Sequence, residues 1–349
     1  MEKITTIHEY LLGKTHAELI GLVKDFGWPA FTGGQIADWL YKKHVTDIDE
    51  MTNLSKAMRA QLCKRFETGG VAPAAEQTSK DGTRKYLFPI RGGRSVETVV
   101  IPDAGRATLC VSSQVGCRMG CRFCMTARQG FRANLPAGEI INQFRSVRER
   151  DALTNAVFMG MGEPMDNLDE LLKSLQILTS PWGFAWSPRR ITVSTIGIEP
   201  AVKRFLEESE CHLAVSVHNP FDDERQELMP IQKAYPLQSV IDLLRQYDFS
   251  GQRRVSFEYI LFNRRNDTPR HAQALAALLQ GLECRVNLIR FHPIPDSALR
   301  PSPDGAVERF KNLLLRQGVM TTVRASRGQD IMAACGLLST ACAGQLLSS

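Results

Sequence analysis

Cys117-Arg-Met-Gly-Cys121-Arg-Phe-Cys124 sets three thiols within eight residues, and its reading decides the rest of the 349-residue chain. Cysteine thiolates are soft ligands that hold iron–sulfur clusters. A full cubane needs four ligands; this run supplies three, which leaves one iron open to something that is not protein. A structural zinc usually takes four protein ligands, often as two separated CxxC pairs. No second pair exists here, because Cys63, Cys110, Cys211, Cys284, Cys335 and Cys342 stand singly. A disulfide framework is not expected in a chain long enough to bury its own core. Arg118, Gly120 and Arg122, interleaved with the cysteines, argue against three core thiols.

Composition narrows the class. Hydrophobic residues are 43% and charged residues 23%, an ordinary globular mix with room for one large domain or two smaller ones. No apolar run reaches the roughly 18 residues of a membrane span. Met1-Glu-Lys-Ile-Thr-Thr-Ile-His8 lacks an apolar signal core, so the expected compartment is the cytoplasm, where thiols stay reduced. The net charge of +6 permits nucleic-acid binding without requiring it. The pairs Arg189-Arg190, Arg253-Arg254 and Arg264-Arg265 each read first as solvated faces. Arg290, Arg324 and Arg327 fall near candidate site segments.

Outward from the cysteine run, the chain changes texture twice. Residues 1–70 read as a small helical accessory module. Thr15 with Glu18 has capping-box spacing ahead of Leu19, Leu22 and Val23. A second amphipathic stretch runs over Gln35–Lys43 after Gly33-Gly34, and a third starts at Asn53-Leu-Ser55. Lys42, Lys43, Lys56, Arg59, Lys64 and Arg65 give this module a basic face, suited to RNA or simply to water. Residues 71–100 read as a β-rich bridge, with a hairpin turn at Asp81-Gly82 and a strand over Ser95–Ile101.

From residue 101 to 349, strands and helices alternate. Strand candidates are 155–159, 190–194, 212–217, 255–261, 285–289 and 321–324; helices fall between them, as at 137–148, 168–178, 237–247, 269–279 and 306–317. Such alternation implies an α/β fold with a parallel sheet covered by helices. Six alternations suit a partial (β/α)6 TIM-like barrel, whose sites lie at the C-terminal ends of the strands. The strand through Met159 ends in Gly160-Met-Gly162-Glu163-Pro164, where small residues allow close backbone approach and Glu163 can accept from an ammonium group. The next strands end at Ser194 and at Ser216-Val217-His218.

CxxxCxxC is the signature of radical S-adenosylmethionine (SAM) enzymes. Its surroundings, Leu109-Cys-Val-Ser-Ser-Gln-Val-Gly-Cys117 and Gln129-Gly-Phe131, resemble the RlmN/Cfr family of RNA adenine methyltransferases. The resemblance runs from about Val96 to Leu338, and more weakly through the N-terminal region. It implies a radical SAM barrel with one [4Fe-4S] cluster on Cys117, Cys121 and Cys124. It assigns SAM binding to Gly162, Glu163, Ser194, Ser216, Val217 and His218, and to His292, where most relatives carry Asn. It makes Cys335, in Ala-Ala-Cys-Gly336, a methyl carrier, Cys110 its resolving partner through a transient disulfide, and Glu97 the proton acceptor. Cys342 receives no role, and Cys63, Cys211 and Cys284 are expected to be structural.

The resemblance further implies two SAM molecules per turnover, one to methylate Cys335 and one to generate a radical. Expected partners are 23S rRNA, tRNA in some members, and an electron donor of flavodoxin or ferredoxin type; the enzyme is expected to be a monomer. Pro164 favours the type that modifies carbon 2 of adenine over the Cfr type that modifies carbon 8, which carries Ala there. A reading from another class, an RNA-binding protein with a structural metal site, stays open at this point.

Overall fold

The computed structural model describes residues 9–251 and 253–340; Cys342 lies outside them. A ten-stranded sheet runs through the molecule, and its strands lie side by side in chain order. Ala75–Thr78, Arg84–Ile90, Arg94–Asp103 and Arg106–Cys110 form an antiparallel meander. Asn155–Phe158, Ile191–Thr195, His212–Ser216, Val255–Leu261, Cys284–Arg290 and Met320–Val323 then add in parallel. The six parallel strands expected after the cysteine run are all present. A seventh, Arg106–Cys110, precedes it and pairs with Asn155–Val157. It is short and follows directly on the turn at Ala104-Gly105 (φ 30° and 83°), so its sequence reads as loop.

Helices cover the parallel half, as a crossover connection requires. In Leu168–Thr179, Leu171, Leu175 and Leu178 are buried at helical spacing. Every residue of Val255–Leu261 is buried, as befits an inner strand covered on both faces. The result is the expected α/β fold, a partial barrel of parallel strands covered by helices. The meander belongs to the same sheet through the pairing of Val99–Asp103 with Arg106–Cys110.

In the N-terminal module Thr15 caps His16–Asp25 in a full capping box with Glu18, and Ser55 caps Lys56–Cys63. The second helix spans Phe31–Tyr41, starting earlier than its apolar pattern predicts, with Gly33 and Gly34 inside it. Gly33 faces the first helix, where a Cβ would stand 2.8 Å from the Ile20 backbone nitrogen; the glycine is there for close helix packing. Arg145, on the helix Ala137–Arg145, reaches into this module and donates to the carbonyls of His44 and Val45 at 2.7 Å each. No helix among the described residues is long and apolar enough to cross a membrane.

Candidate active site

The cysteine run forms a loop between two short elements. Gln114–Val115 pairs with Ala133–Asn134 at its base, and Cys124 precedes the helix Met125–Gln129. Arg118 staples the loop, with its guanidinium 3.9 Å from the Phe131 ring centroid and 3.0 Å from Asp166. Cys117, Cys121 and Cys124 together line a cavity of about 150 Å³ at the C-terminal ends of the parallel strands.

The opposite wall is the turn Gly160–Pro164. Gly162 has φ 101°, and a Cβ there would lie 2.5 Å from the Gln114 Cβ. Only glycine lets the turn close against the base of the cysteine loop. Glu163 follows, with 4% of its surface exposed. Its carboxylate accepts from the Ile196 and Met165 N–H groups at 3.0 and 3.2 Å. Burial pushes its pKa up to about 7 against those bonds.

Ser194, Ser216 and His218 also face this cavity. His218 has φ 56°, and its carbonyl accepts from the Asn266 amide at 2.6 Å. Its Nδ1 accepts from the Ile260 N–H at 3.0 Å, and burial pushes its pKa down to about 3. The ring is therefore neutral, with its proton on Nε2, a fixed donor. Val217 does not line the cavity: its side chain is fully buried, and its N–H and carbonyl are bonded to Glu258 and Arg225.

Cys335 lines this cavity and a neighbouring one of about 110 Å³, which holds Cys110, His292 and Arg324. The surface that Cys335 exposes looks into these two spaces, and burial still pushes its thiol up. Burial, reinforced by Cys335, pushes Cys110 up to about 12. Both are free thiols. His292 thus sits on the Cys110 side, away from the cluster cysteines.

The segment that carries Cys335 is fastened to the cluster loop. The Met125 N–H donates to the Gly336 carbonyl at 2.8 Å, the Thr126 hydroxyl to the Leu338 carbonyl at 2.7 Å, and the Thr340 N–H to the Gln129 side chain at 3.1 Å. Glu97 lies beneath, 1% exposed, lining neither cavity. Its carboxylate is 3.0 Å from the Lys85 ammonium and accepts from the Ser339 N–H at 2.9 Å. Burial pushes its pKa up, and Lys85 opposes the rise.

One residue of the site, Glu258, was not singled out by the sequence, and a second, Arg324, was noted only as falling near a candidate site segment. Glu258 lines the cavity beside Cys335 and accepts from Ser256, Asn287 and Arg324 through Oε1, while its Oε2 is buried with no hydrogen-bond partner among the described residues. A charge inside the apolar strand Val-Ser-Phe-Glu-Tyr-Ile-Leu261 is the signal that could have found it. Arg324 follows the last strand, donates to the Met159 sulfur at 3.4 Å, and favours the thiolates of Cys110 and Cys335. Arg290 instead pairs with Asp304, and Arg327 with Asp103 at 3.3 Å.

The thiol triad fits an iron–sulfur cluster. Burial pushes Cys117 up to about 12, and burial with the charges of Cys124 and Cys117 pushes Cys121 well above its usual value. Three thiolates can coexist here only around a cationic group. No three His, Cys, Asp or Glu side chains among the described residues converge on a single-ion position. A cubane asks for something else, one thiolate at each of three irons.

Residues 111–275 match the family model of the radical SAM superfamily, and residues 10–68 match that of the ribosomal RNA large subunit methyltransferase N-terminal domain. The chain is 60% identical over 331 residues to a probable dual-specificity RNA methyltransferase RlmN of Parabacteroides distasonis, covering 95% of this chain and 96% of the relative. It is 43% identical to a dual-specificity RNA methyltransferase RlmN of Syntrophotalea carbinolica, over 93% of this chain and 88% of the other. Among solved structures it superposes on a radical SAM methyltransferase from Sphaerobacter thermophilus with a TM-score of 0.89 at 41% identity, over 95% of this chain and 99% of that one.

Proposed function

This chain belongs to the RlmN family of radical SAM RNA methyltransferases, and on that premise we propose that it methylates carbon 2 of an adenosine in 23S rRNA, with tRNA as a second substrate, through a methyl group carried on Cys335. The observation that supports this reading is that Cys335 lines both the cavity of the cluster cysteines and that of Cys110. One sulfur faces the source of a radical on one side and a second thiol on the other.

Carbon 2 of adenine lies between two nitrogens and is a poor nucleophile, so direct attack on the SAM methyl is closed to it. Cys117, Cys121 and Cys124 would hold a [4Fe-4S] cluster, which would supply reductive cleavage of SAM to a 5′-deoxyadenosyl radical. Glu163 receives the SAM ammonium, and Gly162 lets backbone approach it. Ser194, Ser216 and the Nε2–H of His218 donate to SAM oxygens.

Cys335 takes a methyl group from one SAM molecule and yields a hydrogen atom from that methyl to the radical made from a second. The methylene radical left on its sulfur bonds to adenine and ties RNA to protein, and the adduct radical passes one electron to the oxidised form of the flavodoxin- or ferredoxin-type partner. Glu97 takes the ring proton, with Lys85 stabilising its carboxylate. Glu97 lines neither cavity, so the segment around Cys335, bonded to it through Ser339, shifts during turnover to bring the base within reach. Cys110, as thiolate, then attacks the Cys335 sulfur. The S–C bond breaks with its electron pair going to the methylene carbon, which takes a proton from water to become the methyl group; the methylated base leaves, and a Cys110–Cys335 disulfide remains for an external reductant to reopen. His292 and Arg324 border this exchange, where the guanidinium favours the attacking thiolate. An electron donor of flavodoxin or ferredoxin type completes the cycle in the cytoplasm.

Chromatographic mass spectrometry of nucleosides from 23S rRNA and tRNA, treated anaerobically with the reconstituted enzyme, tests the proposal. It predicts 2-methyladenosine from both. 8-Methyladenosine would overturn the choice of carbon, and unmodified tRNA the second substrate.

A further inference from the structure

On the outer side of the cysteine loop lies a larger cleft of about 750 Å³. Gly120, Cys121 and Arg122 form part of its lining, and Cys121 also lines the inner cavity. Cys335, Cys110 and Glu97 do not line it. The cleft therefore abuts the metal-binding loop without reaching the place where the methyl group is handed over.

Its lining carries more arginines than carboxylates. Arg122, Arg128, Arg264, Arg265 and Arg270 face it, against Glu224, Glu227 and Asp296. Arg128 is held by the Pro295 carbonyl, and Arg270 is paired with Glu224 at 2.7 Å. Arg265 meets Glu227 only at 3.5 Å, with both side chains more than 60% exposed (62% and 64%), a weak pair. Arg122 and Arg264 are exposed; the Arg264 backbone N–H donates to Asp267 at 2.9 Å, but neither guanidinium pairs with a carboxylate among the described residues. The other arginine doublets differ. Arg190 donates to the Leu153 and Thr154 carbonyls over the Trp186 ring, and Arg253 donates to the Leu206 carbonyl. Arg264-Arg265 is the doublet turned into a cleft.

We propose that this cleft is the docking surface of the electron donor, a small acidic one-electron redox protein. The inference rests on the functional reading above, in which a cluster on Cys117, Cys121 and Cys124 is reduced in each cycle. Electron transfer between proteins falls steeply with distance, and a partner seated here touches the cluster loop itself. In each transfer the donor loses one electron, hydroquinone to semiquinone for a flavin, and the group held by the three cysteines gains it. The arginine excess attracts an acidic partner and speeds encounter. Glu227 and Asp296, set among the arginines, repel a continuous polyanion such as RNA but can be matched by a protein surface of mixed sign. Transient redox encounters use small polar patches of this kind.

The test is a titration of fluorescently labelled oxidised flavodoxin with the full-length protein, with and without its cluster, read by anisotropy. The double variant R264E/R265E is expected to raise Kd at least about tenfold, and Glu227→Arg to lower it, with wild-type binding weakening as salt rises. The double variant keeps wild-type 5′-deoxyadenosine formation when dithionite, which needs no docking surface, is the reductant. It also keeps wild-type affinity for RNA. An unchanged flavodoxin Kd in both variants would overturn the proposal, as would a loss of RNA affinity in place of the loss of flavodoxin binding. Failure of the wild type to cleave SAM with dithionite would sink the functional reading instead, a result that the binding titration, done without the cluster, does not share.

Discussion

Glu163 is a buried carboxylate with a pKa raised to about 7, in a wall of the cavity that the three cysteines line. In the proposed role it must be ionised to receive the SAM ammonium group. Below that pKa the carboxyl is neutral, so SAM affinity should fall by up to about tenfold per pH unit as pH drops, and level off above it. Glu163→Gln should weaken SAM binding and flatten the profile. Equilibrium binding from pH 6 to 8 checks this, and an equal slope in both proteins would count against the assignment. Cys110 poses the opposite problem. Its thiol is pushed up to about 12, yet the resolving step needs thiolate. Decay of the RNA–protein adduct should speed up about tenfold per pH unit between 7 and 9. Cys110→Ala should leave a stable crosslinked band on a denaturing gel, and clean turnover by that variant would refute its role. The cysteines also mark how far residues can be read from sequence. Cys117, Cys121 and Cys124 declare themselves by spacing. Cys335 and Cys110 lie 225 positions apart and meet only through folding, so their roles were legible through family resemblance alone. Glu258 belongs to no motif, and the charge it places inside the strand Val255–Leu261 was its one local signal.

Elements were legible where local chemistry dictates them. The capping box at Thr15 and the Asp81-Gly82 hairpin turn form as their residues require, the latter with Thr78 opposite Arg84. The start of Phe31–Tyr41 was not, since tertiary contact overrides the poor helix propensity of Gly33 and Gly34. Neither was the pair between adjacent strands of the meander, Lys85 and Glu97, which are 4% and 1% exposed. Both strands are buried continuously around these positions, and nothing local in either one shows that two opposite charges meet there. Removing one partner leaves the other charge buried and alone. Lys85→Met should cost about 3–5 kcal/mol in urea denaturation, and the double variant Lys85→Met/Glu97→Gln should recover most of it. Equal losses in the single and double variants would show that the pair is not coupled.

At the scale of the whole molecule, a sheet whose strands follow chain order sets the ends of the parallel strands around one cavity. The cluster loop follows one strand, Glu163 another, Ser194 and His218 the next two. The Cys335 segment comes from the far end of the chain and closes over them through Met125, Thr126 and Gln129. The strand order and the site's location could be expected from the alternation of strands and helices; the closure could not, because no local pattern encodes contacts over such separations. The central claim is that one sulfur, Cys335, stands between the radical and the RNA. It is tested most directly by supplying SAM with a trideuterated methyl group and weighing the 5′-deoxyadenosine formed while RNA is methylated. The account predicts deuterium in the 5′-deoxyadenosine, taken from the methyl group on Cys335, and no methylated RNA from Cys335→Ala. Methylated RNA alongside 5′-deoxyadenosine without deuterium would contradict it.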